Sequence, residues 1–482
     1  MNTIKIFKDY SIGEVQDRVF SSFVEHMGSC VYNGIYEPEH PTADERGFRG
    51  DVLTLAKELK LPAIRYPGGN YVSGYNWEDS VGKNRPVRPD LAWQQIEPNT
   101  FGLHEFVDWS KEVGSDVIMT VNLGTRGADD ARNLMEYTNF KGGTHFSDKR
   151  RANGAEQPFN FKTWCLGNEL DGTWQIGHKT AKEYGRIVTE TARILRNLDD
   201  EAEFIAVGSS NNKMTTFPEW DRITLMECYD DVDYIALHKY VDCGPRDIPT
   251  FLAAPMEMEQ QIKDIISTCD YVKSVKRSNK VMKLAFDEWN ICNNPPLMPK
   301  EKWVIGPDRD KKIYTHLDAL AFGSMMLNLI RHAERVQIAC QAILVNVLPM
   351  IIADKAGESR RSSIFYPFLH GSLYGRGKAM NCIVDVEKYD CKEFTDAPVI
   401  DCASVYHQNT EEIAIFLVNR CNENKIVDIQ LNGFSKFTKL RHIKLTGDLS
   451  ATDELPSERM IRIKDDISLK LEGYSWNVAV LS

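Results

Sequence analysis

Thr163-Trp164-Cys165-Leu166-Gly167-Asn168-Glu169 and Leu284-Ala285-Phe286-Asp287-Glu288-Trp289-Asn290 follow one plan. Each rises through apolar residues and stops abruptly at polar ones, with a glutamate among them. A short continuous apolar run is the pattern of a strand buried on both faces of a parallel sheet. A polar side chain at the carboxyl end of such a strand stands where barrel enzymes place their functional groups. Taken singly, Asn168-Glu169 also fits a helix cap or a solvated turn, and Asp287-Glu288 fits an ion pair with a core arginine such as Arg65. Two such endings, on strands that count as fourth and seventh of a series, are harder to explain that way. A converging pair of carboxylates is what retaining glycoside hydrolysis requires, one as acid/base and the other as nucleophile.

The series extends in both directions. Strand-like runs at Val19–Val24, Ala63–Tyr66, Val117–Leu123, Thr163–Leu166, Phe204–Val207, Tyr234–Leu237, Met282–Phe286 and Ala339–Val345 alternate with amphipathic segments. Among the latter are Asp51–Lys60, Leu103–Val113, Asp129–Tyr137, Thr180–Leu198, Met256–Val275 and Ile313–His332. Tyr184, Ile187, Val188, Ala192, Leu195 and Leu198 recur near the helical period. Eight strands alternating with helices predict an α/β chain folded as a (β/α)8 TIM barrel, over residues 14–378. Several strand ends share the polar or glycine texture: Pro67-Gly68-Gly69-Asn70, Asn122-Leu123-Gly124-Thr125, Gly208-Ser209-Ser210-Asn211 and His238-Lys239-Tyr240. Ordinary turn chemistry explains any one of these. After Ala379 the helical period fades and short strands appear, separated by turns such as Asn432-Gly433. These predict a C-terminal β-sandwich, jelly-roll-like, built from 379–482 together with 1–13, with Ile4-Lys5-Ile6-Phe7 pairing into it.

Bulk properties narrow the function. The 482 residues carry a net charge of −11, with 42% hydrophobic and 26% charged residues. Such a chain is an ordinary globular protein, and its sign argues against nucleic acid or an anionic membrane as partner. A neutral sugar suits it. The start lacks the apolar core of a signal peptide, and the nearest approach to a spanning segment, Ile338 to Ile352, is too short and carries Gln341 and Asn346. Eleven scattered cysteines with no CxxC pair read as reduced, hence a cytoplasmic setting. No HExxH, Cys/His cluster or Asp-rich calcium loop is present, so neither metal nor cofactor is expected.

Around the glutamates, Asn168 is placed to bond a sugar 2-hydroxyl, a contact that strengthens in an oxocarbenium-like transition state. The acid has to be kept protonated by burial or by a neighbouring carboxylate. Glu25-His26 suits either sugar hydroxyls or the orientation of Arg65, and a buried ion pair explains it equally well. His238 reads as a hydrogen-bonded histidine beside the nucleophile. Trp77, Trp93, Trp174 and Trp289 are candidates for sugar-stacking walls, although core tryptophan is commoner.

Phe23-Val24-Glu25-His26-Met27-Gly28, Arg65-Tyr66-Pro67-Gly68-Gly69-Asn70-Tyr71, Asn122-Leu123-Gly124-Thr125-Arg126-Gly127, Trp164 to Glu169 and Phe286 to Asn290 together resemble the α-L-arabinofuranosidases of glycoside hydrolase family 51. The resemblance spans nearly the whole chain. It implies a retaining mechanism, Glu169 as acid/base, Glu288 as nucleophile, and Glu25, Asn70, Asn168 and Tyr240 as substrate-binding residues. It also implies arabinose-substituted oligosaccharides as substrates and a homo-oligomer, commonly a hexamer. Two departures are visible. The family's Ala-Gln-Leu-Val-Asn reads Ala342-Ile343-Leu344-Val345-Asn346, and its aromatic pair after the nucleophile is replaced in Ile291-Cys292-Asn293-Asn294. Gln341, two residues away, is the candidate to replace the lost polar group. A retaining β-xylosidase or β-glucanase, and more remotely a non-catalytic sugar-binding protein, are the alternatives. The loop 292–308 reads as a lid or a subunit contact.

Overall fold

The computed structural model describes residues 2–242, 244–292, 298–307, 312–463 and 466–482. Eight strands close a barrel in chain order: Ser21–Phe23, Ala63–Tyr66, Asp116–Thr120, Thr163–Leu166, Glu203–Ala206, Tyr234–Val241, Lys283–Ile291 and Val336–Gln341. All neighbours run parallel, and the last strand closes on the first through Cys340–Ser21 and Gln341–Ser22. Ala63–Tyr66 and Thr163–Leu166 are buried at every position, as expected for strands with side chains in the lumen on one face and helices on the other. The helix Ala181–Leu198 starts at a capping box in which Thr180 and Glu183 satisfy each other's backbone N–H groups. Its buried stripe includes Tyr184, Val188, Ala192 and Leu195. The Tyr184 hydroxyl donates to the Leu166 carbonyl and accepts from the Val207 N–H, both at 2.7 Å. One helix thereby fixes the ends of two strands just below the predicted site.

Two barrel strands differ from the sequence expectation. Val19 and Phe20 lie in a 3-10 turn, Asp17–Phe20, and pairing begins only at Ser21. The eighth strand ends at Gln341 rather than continuing to Val345. Asn346 and Val347 have φ of +55° and +58°, which no extended strand accommodates. Asn346 holds that turn, donating to the Ser29 carbonyl at 2.8 Å and accepting from Ala353 N–H at 2.9 Å. Apart from Asn346, residues 342–348 are apolar, and all are buried at the barrel mouth, so hydrophobicity alone imitated a strand.

Nine of the other described strands form one sheet, and the rest pair as two-stranded ribbons. The N-terminal strand Asn2–Val15 sits inside it, antiparallel to Gly377–Asp385 and parallel to Lys425–Asn432. One core gathers Leu440 and Leu481 from one flank with Val427 and Leu469 from the other, so the sheet folds over itself as a sandwich. We propose 14–378 and 1–13 plus 379–482 as the two domains, divided where the paired strands Asn2–Val15 and Gly377–Asp385 leave the barrel. The helix His316–Arg331 is buried around nearly its whole circumference because it lies between barrel and sheet. There Trp476 packs against Gly323, where an added Cβ would come within 2.6 Å of the indole, and donates to His370 Nδ1 at 3.0 Å. Arg331 reaches across to Asp401 at 2.7 Å. Among the described residues, no helix is long and apolar enough to cross a membrane.

Candidate active site

Both glutamates point into one cavity of 370 Å³ at the carboxyl ends of the barrel strands. Register explains the convergence. Glu288 lies opposite His238 and Asn290 opposite Tyr240 on the adjacent strand. His238 Nδ1 stands 2.9 Å from Glu169 Oε1 and 3.5 Å from Glu288 Oε2, and ligand atoms of all three residues fall within 4.8 Å of one another. That spacing belongs to the retaining rather than the inverting geometry. Glu288 Oε1 accepts from Arg65 Nη1 at 2.7 Å and its Oε2 from the Tyr240 hydroxyl at 2.8 Å. Glu169 Oε2 accepts from Trp174 Nε1 at 2.8 Å. Glu169 itself adopts φ +45°, a region few non-glycine residues occupy, and strain of this sort clusters at functional sites.

Arg65, fully buried, is the hub. Its Nη2 donates to Asn168 Oδ1 at 2.8 Å and its Nε lies 3.2 Å from Asp287 Oδ2. With its carbonyl fixed, Asn168 turns its amide nitrogen towards Asn70, 3.3 Å away. Glu25 Oε1 accepts from Tyr71 N–H at 2.9 Å and Trp93 Nε1 at 2.8 Å. The pair Gly68-Gly69 is required by close approach. At Gly68, with φ +147°, a Cβ would fall 2.4 Å from Glu25 Cγ, and at Gly69 one would fall 2.8 Å from Glu288 Oε1.

Burial raises the Glu169 carboxyl, and Glu288 adds to the rise while His238 opposes it. Burial likewise lifts Glu25 to about 8, again helped by Glu288, so Glu25 is a hydrogen-bond donor at neutral pH. Burial acts to lower His238, but the carboxylates of Glu288 and Asp287 outweigh it and hold the ring well above its ordinary value. Burial alone would raise Asp287, yet Arg65 and His238 depress it. Burial and Glu288 keep the Tyr240 hydroxyl protonated well beyond 10. Glu169, His238 and Glu288 are also the described residues whose ligand atoms could meet at a metal ion.

All six residues singled out in the sequence, Glu25, Asn70, Asn168, Glu169, Tyr240 and Glu288, therefore meet here. Of the four tryptophans, Trp93 and Trp174 line the cavity. Trp289 instead stacks on Phe322 with centroids 4.6 Å apart, and Trp77 packs on Tyr137 in the core. Neither is a sugar wall. His26 does not orient Arg65; it bonds Glu97 at 2.7 Å and the Tyr66 hydroxyl at 2.8 Å. Gln341 does not replace the polar group missing at Ile343. It is fully buried, and its amide is bound to Ser22 Oγ at 3.2 Å and, more weakly, to the carbonyls of Ile343 and Leu348. Phe23, Met27, Ile343 and Leu348 give the cavity an apolar side. Within the loop 292–308, residues 293–297 and 308, Asn293 and Asn294 among them, lie outside the described residues. The pairing of Asp287 with Arg65 agrees with the ion pair read in the sequence, whereas its second partner, His238, and the place of Asn212 and Lys213 at the cavity were not foreseen, because they depend on contacts between strands distant in the chain.

Two family models match the chain: the α-L-arabinofuranosidase 1 domain over residues 55–246 and the α-L-arabinofuranosidase C-terminal domain over 287–482. The intracellular exo-α-(1→5)-L-arabinofuranosidase 1 of Bacillus subtilis (strain 168) is 49% identical over 98% of this chain and 97% of its own length. An exo-α-(1→6)-L-arabinofuranosidase of Bifidobacterium longum is 42% identical, over 86% of this chain and 82% of its own length. Among solved structures, a family 51 α-L-arabinofuranosidase from Bifidobacterium longum superposes with a TM-score of 0.96 at 35% identity, covering 100% of this chain and 99% of that one.

Proposed function

Because this chain belongs to the α-L-arabinofuranosidases of glycoside hydrolase family 51, we propose that Glu169 and Glu288 carry out in it the retaining, exo-acting release of terminal α-L-arabinofuranosyl groups. The carrying observation is the meeting of both carboxylates within 4.8 Å at the floor of one strand-end cavity. In the first step Glu169 passes its proton to the glycosidic oxygen as Glu288 attacks the anomeric carbon; the aglycone leaves with that proton, and a glycosyl ester forms on Glu288. Arg65 and Tyr240 aim the two oxygens of Glu288, and the Asn168 amide faces the sugar's 2-hydroxyl. In the second step the Glu169 carboxylate takes a proton from water as the water oxygen attacks the same carbon. The ester bond breaks, and Glu288 leaves as a carboxylate. Esterification removes the Glu288 charge that had raised Glu169, so the acid of the first step becomes the base of the second.

The α-1,5 linkage is proposed on the relatives' names, and oligosaccharides of arabinan and arabinoxylan are proposed as substrates from the family resemblance. The same names support a cytoplasmic setting, and a hexamer is proposed from the family resemblance. The test is product analysis on linear arabino-oligosaccharides. Release of arabinose one unit at a time from the non-reducing end, lost in Glu288→Ala, is expected. Internal cleavage, or turnover of xylosides or glucosides at comparable rates, would refute the assignment.

A further inference from the structure

The geometry points to an aglycone bearing a carboxylate, such as a uronate-containing glycan, selected at the leaving-group side of the cavity by Lys213. The inference rests on Glu169 as the acid, since the acid stands beside the leaving group. The loop that follows strand Glu203–Ala206 is tied to the Glu169 loop: Ser210 N–H donates to Asp171 Oδ2 at 3.0 Å, and its hydroxyl bonds the other oxygen. That tie brings Asn211, Asn212 and Lys213 onto the cavity wall shared with Glu169 and Trp174. Trp174 is 51% exposed, so its ring offers a face to whatever leaves.

The charges at this wall are unequal. Lys239, almost wholly buried, donates to Asn212 Oδ1 at 2.9 Å and to Glu257 Oε2 at 2.7 Å. Glu257 also holds Arg246, whose other partner is Glu393 at 2.6 Å. Lys213 reaches the same Glu257 only at 3.8 Å, with its side chain 70% exposed. Three cations thus share Glu257 and Glu393, and Lys213 has the weakest claim on either. Of these three among the described residues, its ammonium is the least engaged and the most open to a ligand. Deeper in the cavity the carboxylates of Glu288 and Asp287 are already countered by Arg65 and His238, so they do not cancel this excess. The ammonium can donate a hydrogen bond to the hydroxyls of any glycan, but only a carboxylate also gains from its charge.

The test compares 4-carboxyphenyl with 4-carbamoylphenyl α-L-arabinofuranoside, leaving groups of similar shape that differ in charge. At low salt the wild type is expected to favour the carboxylate in kcat/KM by up to about fivefold, the range of an exposed ion pair, with the preference fading at high salt. Lys213→Met should bring the ratio to about one, and Lys213→Glu should reverse it. Equal turnover of the two by wild type, or a preference that survives in Lys213→Met, would overturn the inference while leaving the hydrolase intact. Failure to cleave either compound would overturn the arabinofuranosidase assignment, and this inference with it.

Discussion

Gly69→Ala should disable the nucleophile without unfolding the protein. Gly69 has φ −82° and ψ −106°, outside both the helical and the extended regions, so alanine there adds backbone strain of about 1–3 kcal/mol to the contact. The added Cβ would lie 2.8 Å from Glu288 Oε1, 3.3 Å from Glu25 Oε2 and 3.4 Å from Asn168 Nδ2. Ordinary carbon–oxygen contact needs about half an ångström more, so Oε1 has to retreat. Oε1 is the atom that accepts from Arg65 at 2.7 Å. Weakening that buried, charge-assisted hydrogen bond costs about 2 kcal/mol, a factor of roughly 30 in rate. Displacing the attacking oxygen acts in the same direction, at up to about 100-fold per ångström. The assay is kcat/KM on 4-nitrophenyl α-L-arabinofuranoside, with thermal unfolding alongside. A loss of about 30- to 100-fold with Tm lowered by only a few degrees is expected. Gly68→Ala should be worse for the fold: φ +147° and a 2.4 Å contact with Glu25 predict a larger fall in Tm as well as lost activity. Wild-type kcat/KM in Gly69→Ala would refute the packing of Glu288 against this glycine.

Glu169→Ala should lose about 10²- to 10⁴-fold on arabino-oligosaccharides but far less on a 2,4-dinitrophenyl arabinofuranoside, whose leaving group needs no proton. Azide should then restore turnover of the activated substrate; an equal loss on both substrates would remove Glu169 as the acid. Tyr240→Phe deletes a hydrogen bond to Glu288, and a fall in kcat of about 10- to 100-fold is expected. Because the Tyr240 hydroxyl stays protonated well beyond 10, that loss should be the same at every pH from 5 to 9, and a pH-dependent loss would contradict it. His370, held to about 4 by burial, is neutral when folded and titrates near its ordinary value when unfolded. Below that ordinary value the unfolded chain binds more protons, so this contribution is full above about 6.5 and is lost as pH falls towards 4, amounting to about 2 kcal/mol by pH 5. Urea titrations of wild type and His370→Asn at pH 7 and pH 5 should differ in pH slope by about that amount; equal slopes would show that His370 is not buried neutral.

The barrel was legible because burial on both faces leaves little freedom in a strand's composition, and the polar stop after each run marks the same end every time. Where the sequence misled, the cause was local. Ile343 to Val347 carry strand-like residues but sit in a turn that a side chain, Asn346, holds from across the barrel mouth. The six site residues were readable from strand ends and family motifs together. Their supports were less so. Asp287 read either as half of a surface acidic pair or as an ion-pair partner of Arg65; the structure selects the second and adds His238, which only the pairing of neighbouring barrel strands brings against it. Trp77 and Trp174 both lie in strand-end loops, and composition cannot tell which one faces the cavity.

That hidden layer accounts for how one site serves both steps of the proposed reaction. Before the sugar transfers, the charge of the catalytic pair sits on Glu288, with Glu169 protonated. After transfer Glu288 is an ester, and the charge has moved to Glu169. The pair carries one negative charge throughout, and only its position changes. His238 Nδ1 lies 2.9 Å from one carboxylate and 3.5 Å from the other, so a single cation faces both positions without moving. Its far nitrogen is fixed 3.1 Å from Asp287, which also meets Arg65. Water would have to reorient as the charge shifted; this ring, already bound on both sides, does not, which is the advantage of a preorganised dipole or charge over solvent. The buried cations are therefore placed to face the charge of the pair in either of its two positions. Removal of Asp287, as in Asp287→Asn, should accordingly slow glycosylation and deglycosylation together, where loss of Glu169 separates them.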